Sequence, residues 1–283
     1  MSQTNVSSEA TSELEDAPAI RLEHDTPELA RAYEHLSTRQ FNHGKVLVAA
    51  LRLKAGEHVL DVGCGTGRLG EHVARGLGPT GSVVGVDPLP LRIAIARGRH
   101  PNLHVQVGRA EDLSCFGAER FSAAYLNSVL HWIPDKHVAL SQVLRVLAPA
   151  GRIAVNCADA DRPHQSGALV RQALHEEGLT DAARASARGL NYRVTARELA
   201  RLLRQAGFVN VQVQARTFVD RIDDVDDVFA WSSSSSFGNF LSDLDDAQRA
   251  RVRARLADKL EALRTETGIE LERYLVFATA QKG

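Results

Sequence analysis

The sequence predicts an α/β domain built on a mostly parallel sheet, and three observations carry that reading. Short apolar runs alternate with amphipathic stretches between residues 58 and 157, the pattern of strand–helix–strand units whose crossovers cover both faces of a sheet. The first run, His58-Val-Leu-Asp-Val62, leads into Gly63-Cys-Gly-Thr-Gly67. Glycines there let the backbone bend tightly and approach a ligand without Cβ collisions. The second run, Ser82–Asp87, closes on an acid roughly 20 residues after the turn, placed to accept hydrogen bonds from ribose hydroxyls. Strand, glycine turn, helix, strand and acid, in that order, suit a nucleoside.

Residues 1–26 are rich in Ser, Thr and Glu, with little apolar periodicity, and are expected to form a mobile tail; the domain is expected over 27–283. From Pro27, the positions Leu29, Tyr33, Leu36, Phe41, Val46, Leu47 and Ala50 recur at helical spacing, with a break expected near Asn42-His43-Gly44. Strands are expected at 58–62, 82–87, 103–107, 122–127 and 152–157, and helices at 67–77, 89–99 and 136–147. Beyond Asp159 the alternation lapses. Helical stretches at 165–178 and 195–206 precede a strand at 208–216, helices near 225–230 and 245–267, and a closing strand at 273–280. Thr195 with Glu198 three residues on is a capping-box signature for the second of those stretches.

Composition sets bounds. At 283 residues, 44% hydrophobic and 24% charged, the chain suits one large α/β domain or one with a helical appendage. The net charge of −1 and pI near 6.8 give no global attraction to nucleic acid or membrane. No apolar run approaches the length of a membrane span, and the N-terminal stretch is polar and acidic. Three cysteines make no disulfide framework. A cytoplasmic protein, monomer or homodimer, without a metal site and with a small molecule as its partner, is the expectation.

Glycine spacing narrows the nucleoside. A dinucleotide site needs a small third residue in G-x-G-x-x-G/A, and Arg68 stands there, which counts against a nicotinamide-dependent oxidoreductase. Gly63-x-Gly65-x-Gly67 after Val-Leu-Asp instead resembles motif I of the class I S-adenosylmethionine (SAM) methyltransferases. Asp87 matches the family's ribose-binding acid, Gly108–Leu113 (GRAEDL) its adenine-side loop, and Ala124–Ile133 (AYLNSVLHWI) its acceptor-facing strand and loop. Arg145–Ile153 matches its "RVLKPGG" turn. The resemblance covers roughly residues 30–160 and is similar to the small-molecule, type 11 group. It implies a Rossmann-like, seven-stranded, mostly parallel sheet of order 3-2-1-4-5-7-6 with helices on both faces. An N-terminal helical lid at 27–50 and acceptor-side helical elements at 159–205 and 217–267, inserted after strand five, complete the picture.

Residue by residue, the resemblance implies that Gly63, Cys64, Gly65 and Gly67 lie under the methionine part of SAM. Asp61 would orient that loop or reach the amino group through water. Asp87 would take the ribose diol, or cap a helix, and Pro88 follows it. Ala110 and Glu111 would face the adenine; because Arg109 replaces a common Asp, either Glu111 or Asp112 is left to accept from the adenine amino group. Asn127 would sit beside the sulfonium. Direct methyl transfer needs alignment and dryness, and a general base only if the acceptor arrives protonated. His131 is the candidate for acceptor contact or base, and Tyr33, in the lid, is the second catalytic candidate; for each, plain packing is the alternative. Phe41, Ser128, Trp132 and Arg193 are candidate acceptor contacts, Arg193 for an anion. The Trp231–Phe237 serine run is a linker or a hydroxyl-rich wall.

Some similar enzymes are labelled arsenite methyltransferases and others resemble trans-aconitate carboxyl methyltransferases. Trivalent arsenic wants converging thiolates, and Cys64, Cys115 and Cys157 are the only thiols. A trivalent arsenical stays an alternative acceptor beside carboxylates, hydroxyls and thiols, and a non-catalytic SAM-binding protein stays an alternative function.

Overall fold

The computed structural model of the chain describes residues 26–188, 192–234, 241 and 244–283. The expected tail over 1–25, Asn191, and Ser235–Phe237 of the serine run lie outside the described residues. Two helices, α1 (Pro27–Leu36) and α2 (Thr38–Ala50), precede the sheet. Then come β1 (His58–Val62), α3 (Arg68–Leu77), β2 (Ser82–Asp87), α4 (Pro90–Arg99), β3 (His104–Val107), β4 (Phe121–Asn127), α5 (Lys136–Val146) and β5 (Leu147–Ala158). The second half adds α6 (Gln165–Glu176), α7 (Thr180–Arg188), α8 (Ala196–Gln205), β6 (Phe208–Ile222), α9 (Val225–Ser234), α10 (Asp246–Glu261), the short β7 (Arg264–Thr265) and β8 (Gly268–Lys282).

The sheet runs β3-β2-β1-β4-β5-β8-β6, with β7 folded onto β8. The first five strands are parallel, and β8 runs antiparallel to both β5 and β6. This is the expected order 3-2-1-4-5-7-6, the closing strand being β8 because β7 is a two-residue arm. Alternate residues of each strand face opposite layers, as the pleat demands. Val59, Val83, Val105, Ala123 and Tyr125 pack against Leu47, Val73 and Ile93 of α2, α3 and α4. Leu60, Val84, Ala124, Leu126 and Val155 pack against Leu140 and Val143 of α5 and Leu199 and Leu203 of α8. Burial on both faces explains why β1 and β4 read as near-continuous apolar runs. A third cluster joins α6, α9 and α10 to the outer ends of β6 and β8 through Ile222, Ile269 and Leu271.

Several boundaries differ from expectation. The helical break falls at Ser37, whose N–H bonds to the Tyr33 carbonyl at 2.9 Å, and not at 42–44. Gly44 is instead a close-approach residue inside α2: a Cβ there would lie 2.5 Å from Leu69 and 2.9 Å from Asn127. Helix α10 stops at Glu261 rather than 267, because Thr265 Oγ1 donates to the Gly268 carbonyl (2.8 Å) and closes a turn into β8. β6 and β8 each span 15 residues, well past the expected 208–216 and 273–280. Beyond β5 they pair with each other, from Val219 opposite Glu272 to Ile222 opposite Ile269, in a two-stranded ribbon with a mixed sequence that hides its periodicity. Helix α7 was not expected; its run Thr-Asp-Ala-Ala-Arg-Ala-Ser-Ala-Arg is helix-forming but too polar to show a core face.

Strand order reverses at β1, which has β2 on one side and β4 on the other. The crevice beyond the carboxyl ends of these two neighbours is where ligands of open α/β sheets bind. At the opposite end of the sheet, Arg152 grips Glu57 with Nη2 at 2.8 and 2.7 Å from its two oxygens and donates from Nε to the Leu51 carbonyl at 2.9 Å. Arg152→Ala is expected to lower unfolding stability by about 1–3 kcal/mol, read by urea titration. A loss under about 0.5 kcal/mol would place this pair with ordinary surface ion pairs.

Candidate active site

The crevice is built outward from the glycine turn. Gly63 and Cys64 both donate their N–H groups to the Val86 carbonyl, at 2.7 and 3.0 Å, which stitches the turn to β2. Gly63 has φ +78°, and a Cβ on it would meet Val129 Cγ2 at 2.2 Å; only glycine fits. Asp87 is 5% exposed. Its Oδ2 accepts from Gly65 N at 2.9 Å and its Oδ1 from Leu89 N at 3.0 Å, so one carboxylate anchors the turn and starts α4. Asp61 lies beneath, accepting from the Tyr125 hydroxyl at 2.7 Å. Burial pushes its carboxyl up to about 7, the Tyr125 bond opposing and the Asp87 charge reinforcing. Cys64 turns its sulfur away from the crevice toward Gly85, where a Cβ would sit 2.8 Å from it, so only its main chain faces the opening.

The first two helices roof this turn. The Tyr33 ring lies over Gly65, 3.4 Å from where a Cβ would be, and the Arg92 guanidinium stacks on it at 3.7 Å from the centroid. Arg68 Nη1 donates to the Glu34 carbonyl and Ser37 Oγ, each at 3.2 Å, and Arg99 pairs with Glu34 at 3.2 Å. Tyr33, Phe41, Asp61, Gly63, Cys64 and Asn127 are among the residues enclosing about 40 Å³, little more than one water's share of the liquid (about 30 Å³). Gln40 Oε1 lines the same space and is buried without a partner. Tyr33 and Phe41 thus belong with the glycine turn. Burial raises the Tyr33 phenol above its ordinary range, which favours the protonated form. Phe41 packs under the Arg68 and Lys45 cations, each 5.1 Å from its ring, with His72 edge-on.

At the end of β4, Asn127 Oδ1 accepts from Asn156 Nδ2 at 2.8 Å and its Nδ2 donates to the Gln40 carbonyl at 3.1 Å. Ser128 adopts φ +60°, its N–H held by Asn156 Oδ1 at 2.7 Å. A non-glycine residue in that region is a strained position held by its surroundings. Its hydroxyl turns to the same Asn156 oxygen at 3.4 Å, which leaves it poorly placed as an acceptor contact. His131 Nδ1 accepts from Ala158 N at 3.3 Å, so the neutral ring carries its proton on Nε2. Burial, then the charges of Arg193, Lys136 and Arg273, push its pKa down to about 3. That removes the expected general base: the one basic nitrogen is already engaged, and the ring offers a donor. Trp132 packs on it, ring centroids 4.9 Å apart.

Around His131 the chain gathers cations. Arg193 sits beside Asp159, where Val194 bridges to the end of β5; burial, then Arg171 and Arg273, lower its guanidinium to about 10. Arg273 pairs with Asp220 at 2.5 Å. His164 Nδ1 accepts from Tyr274 N at 3.2 Å. His43, stacked on Phe218 with centroids 4.3 Å apart, is pushed to about 4 by burial, then Arg273.

The methyltransferase domain family matches this chain over residues 29–213. The chain belongs to that family. It is a SAM-dependent methyltransferase, and S-adenosyl-L-methionine is its cofactor. A trans-aconitate 2-methyltransferase of Deinococcus radiodurans is 28% identical over 210 residues, covering 72% of this chain and 78% of its own. An O-methyltransferase, cnsE, of Penicillium expansum is 34% identical over 167 residues, 56% of this chain and 54% of its own. Among solved structures, a SAM-dependent methyltransferase of Thermotoga maritima matches the fold with a TM-score of 0.54, at 18% identity over 92% of this chain and 99% of that one.

The predicted site residues fall into two groups. One gathers the predicted Asp61, Gly63, Cys64, Gly65, Gly67, Asp87 and Asn127 together with Tyr33 and Phe41; the other gathers His131, Trp132 and Arg193. On the adenine-side loop Ala110 is buried, and Asp112 is committed to Ser114 N at 3.0 Å. Glu111 meets only Arg109, at 3.5 Å. The thiols do not converge: Cys64 and Cys157 lie in opposite core layers and Cys115 is exposed. Burial lifts Cys157 to about 12, which leaves no thiolate there. Sequence reasoning missed Arg92, Asn156, His164, Asp220 and Arg273. Arg273, opening the otherwise apolar run Tyr274–Ala280, was the one legible signal.

Asp61 makes a pH prediction. Its folded value near 7 lies above the ordinary 3.8, so between those limits the folded state holds a proton the unfolded chain has released. Stability therefore falls as pH rises from about 4 to 7 and is then level with respect to this group. Asp61→Asn is expected to flatten that window, gaining up to roughly 4 kcal/mol at pH 8 relative to pH 4. An unchanged slope in urea titrations across this range would remove Asp61 as its source.

Proposed function

We propose that this methyltransferase transfers the methyl group of SAM to a carboxylate oxygen of a small organic anion. The observation carrying this reading is the cation-rich region around His131. Arg193, Arg171 and Arg273 lie close enough to depress one another or their histidine neighbours, and Nδ1 of His131 and of His164 each accepts from a backbone N–H, which leaves each ring its Nε2–H to offer. Such a lining gives a carboxylate charge-assisted hydrogen bonds and gives a neutral phenol or thiol nothing comparable. The name of the Deinococcus relative, a trans-aconitate methyltransferase, points the same way.

SAM, when bound, supplies an electrophilic methyl carbon on a sulfonium. The chain's own residues supply position. The main chain of Gly63, Cys64, Gly65 and Gly67 would hold the methionine portion, with the Asn127 carbonyl and Gln40 beside it. Asp87 and Pro88 would flank the ribose, and Ala110 and Glu111 the adenine. Asp87, which accepts two backbone N–H bonds, puts negative charge on the cofactor side, which suits a cation. For a nucleoside to reach the turn, Tyr33 and α1 must swing away from Gly65; on return they would exclude water from the reacting atoms. A carboxylate is already ionised at neutral pH, so displacement needs no general base. That agrees with a His131 whose Nδ1 is already engaged by the Ala158 N–H.

Two variants and an acceptor panel test this. Labelled SAM with small mono-, di- and tricarboxylates, phenols, thiols and methylarsenite should give alkali-labile methyl esters only. Arg193→Ala should raise the acceptor KM by ten- to a hundredfold, about 1.4–2.8 kcal/mol, with SAM affinity unchanged. Asp87→Ala should instead weaken SAM binding by about 1–3 kcal/mol in calorimetry. Base-stable products, or transfer to sulfur or arsenic, would overturn the carboxylate reading.

A further inference from the structure

His164 lies outside every motif read from the sequence, yet its geometry repeats that of His131. Strand β5 ends at Ala158, and the ladder between β5 and β8 ends with it, at Ala158 opposite Leu275. Backbone N–H groups at this edge need acceptors from elsewhere. His131, from the loop after β4, supplies Nδ1 to Ala158 N at 3.3 Å; His164, which caps α6, supplies Nδ1 to Tyr274 N at 3.2 Å. Gln165 adds Oε1 to Glu272 N at 2.9 Å, so the start of α6 is sewn to β8 at two points. Each imidazole is thereby fixed with its proton on Nε2, and neither Nε2 has a partner among the described residues.

Three further features surround this pair. Arg273 and Arg193 act electrostatically on both histidines. Arg171 lies in the second turn of α6, its Nη1 3.4 Å from where a Cβ on Gly167 would be. Tyr192, next to Arg193 in the chain, has a buried hydroxyl with no partner among the described residues, and its ring lies under Lys136 Nζ at 5.1 Å. Asp220 holds Arg273 through Nε alone and Asp159 acts on Arg193 without a direct bond, so the region still offers two fixed N–H donors and the remaining N–H groups of two guanidiniums, more than a single reacting carboxylate can use.

We propose that His131 and His164 form a paired donor clamp that binds a second, non-reacting carboxylate of the acceptor, with His164 as the specificity-determining residue. The acceptor class is then a di- or tricarboxylate methylated on one carboxyl group only. The proposal rests on the carboxylate reading above, and it adds that the spectator carboxylate, rather than the reacting one, sets affinity.

Two substitutions separate binding from scaffolding. In His164→Asn the side-chain carbonyl can still accept from Tyr274 N, but the outward donor is gone. In His164→Gln an amide nitrogen returns near the Nε2 position. Calorimetry with S-adenosylhomocysteine present would compare succinate with monomethyl succinate, alongside steady-state kinetics on both. The expected result is a loss of at least tenfold in succinate affinity for His164→Asn, restored to within about threefold by His164→Gln, with kcat within twofold. Monomethyl succinate should bind all three proteins equally. Recovery by Asn rather than Gln, equal losses on both ligands, or no wild-type preference for succinate would overturn the clamp. Clamp-dependent binding without methyl transfer would overturn the carboxylate function and leave the clamp standing. Methyl transfer to monoanions without discrimination would do the reverse.

Discussion

The site is shaped by one constraint: backbone N–H groups at the carboxyl ends of the strands have no ladder partner and must be satisfied by something else. Each solution places a functional group. Val86 takes Gly63 and Cys64, Asp87 takes Gly65, Asn156 takes Ser128, His131 takes Ala158, and His164 takes Tyr274. A sheet with these strands simply extended would bury nothing polar and bind nothing. Ending them at staggered positions creates the demand that draws an acid, an amide pair and two imidazoles to one edge.

Those same bonds decide the electrostatics. An imidazole that accepts from a backbone amide has no basic nitrogen left, so the two histidines act as donors over the whole physiological range. Asp87, held on the other side by two backbone N–H groups, gives that half of the crevice a negative bias. A sulfonium cation and an anionic nucleophile attract each other, and an enzyme uniting them must hold each on a surface of opposite sign without letting those surfaces neutralise one another. Here the ends of β1 and β2 carry Asp61 and Asp87, while the far ends of β5, β6 and β8 carry arginines partly balanced by Asp159 and Asp220. The Asn127–Asn156 amide pair stands between them as a neutral divider.

What the sequence made legible follows from locality. The glycine turn, its neighbouring acid and the strand order of the first half are written in contiguous residues; β1 to β4 appear within a residue of expectation, while β5 begins at Leu147 rather than 152. The cationic region is assembled from His131, His164, Arg171, Arg193 and Arg273, which are scattered over some 140 positions and belong to no short pattern. Arg193 could be named because it precedes a capping box; His164 could not, because a histidine after a proline carries no signal until β8 presents an amide to it. The ribbon of β6 and β8 was underestimated for a related reason. Its outer half gains its apolar face only from a helical cluster supplied by α6, α9 and α10.

The correction to His131 bears on the chemistry more than any boundary. A histidine beside an acceptor pocket invites the role of base, and a base would imply a protonated acceptor such as an alcohol or phenol. Once its Nδ1 is committed to Ala158, the ring can only donate, and a donor serves an acceptor that is already charged. The roofing helices fit that logic. Tyr33 and Arg92, stacked over Gly65, keep the turn dry and its N–H groups oriented, so that closure supplies the low-dielectric surroundings in which a bare carboxylate, stripped of water, is a competent nucleophile. Removing a proton is then no part of what this fold has to do; removing water is.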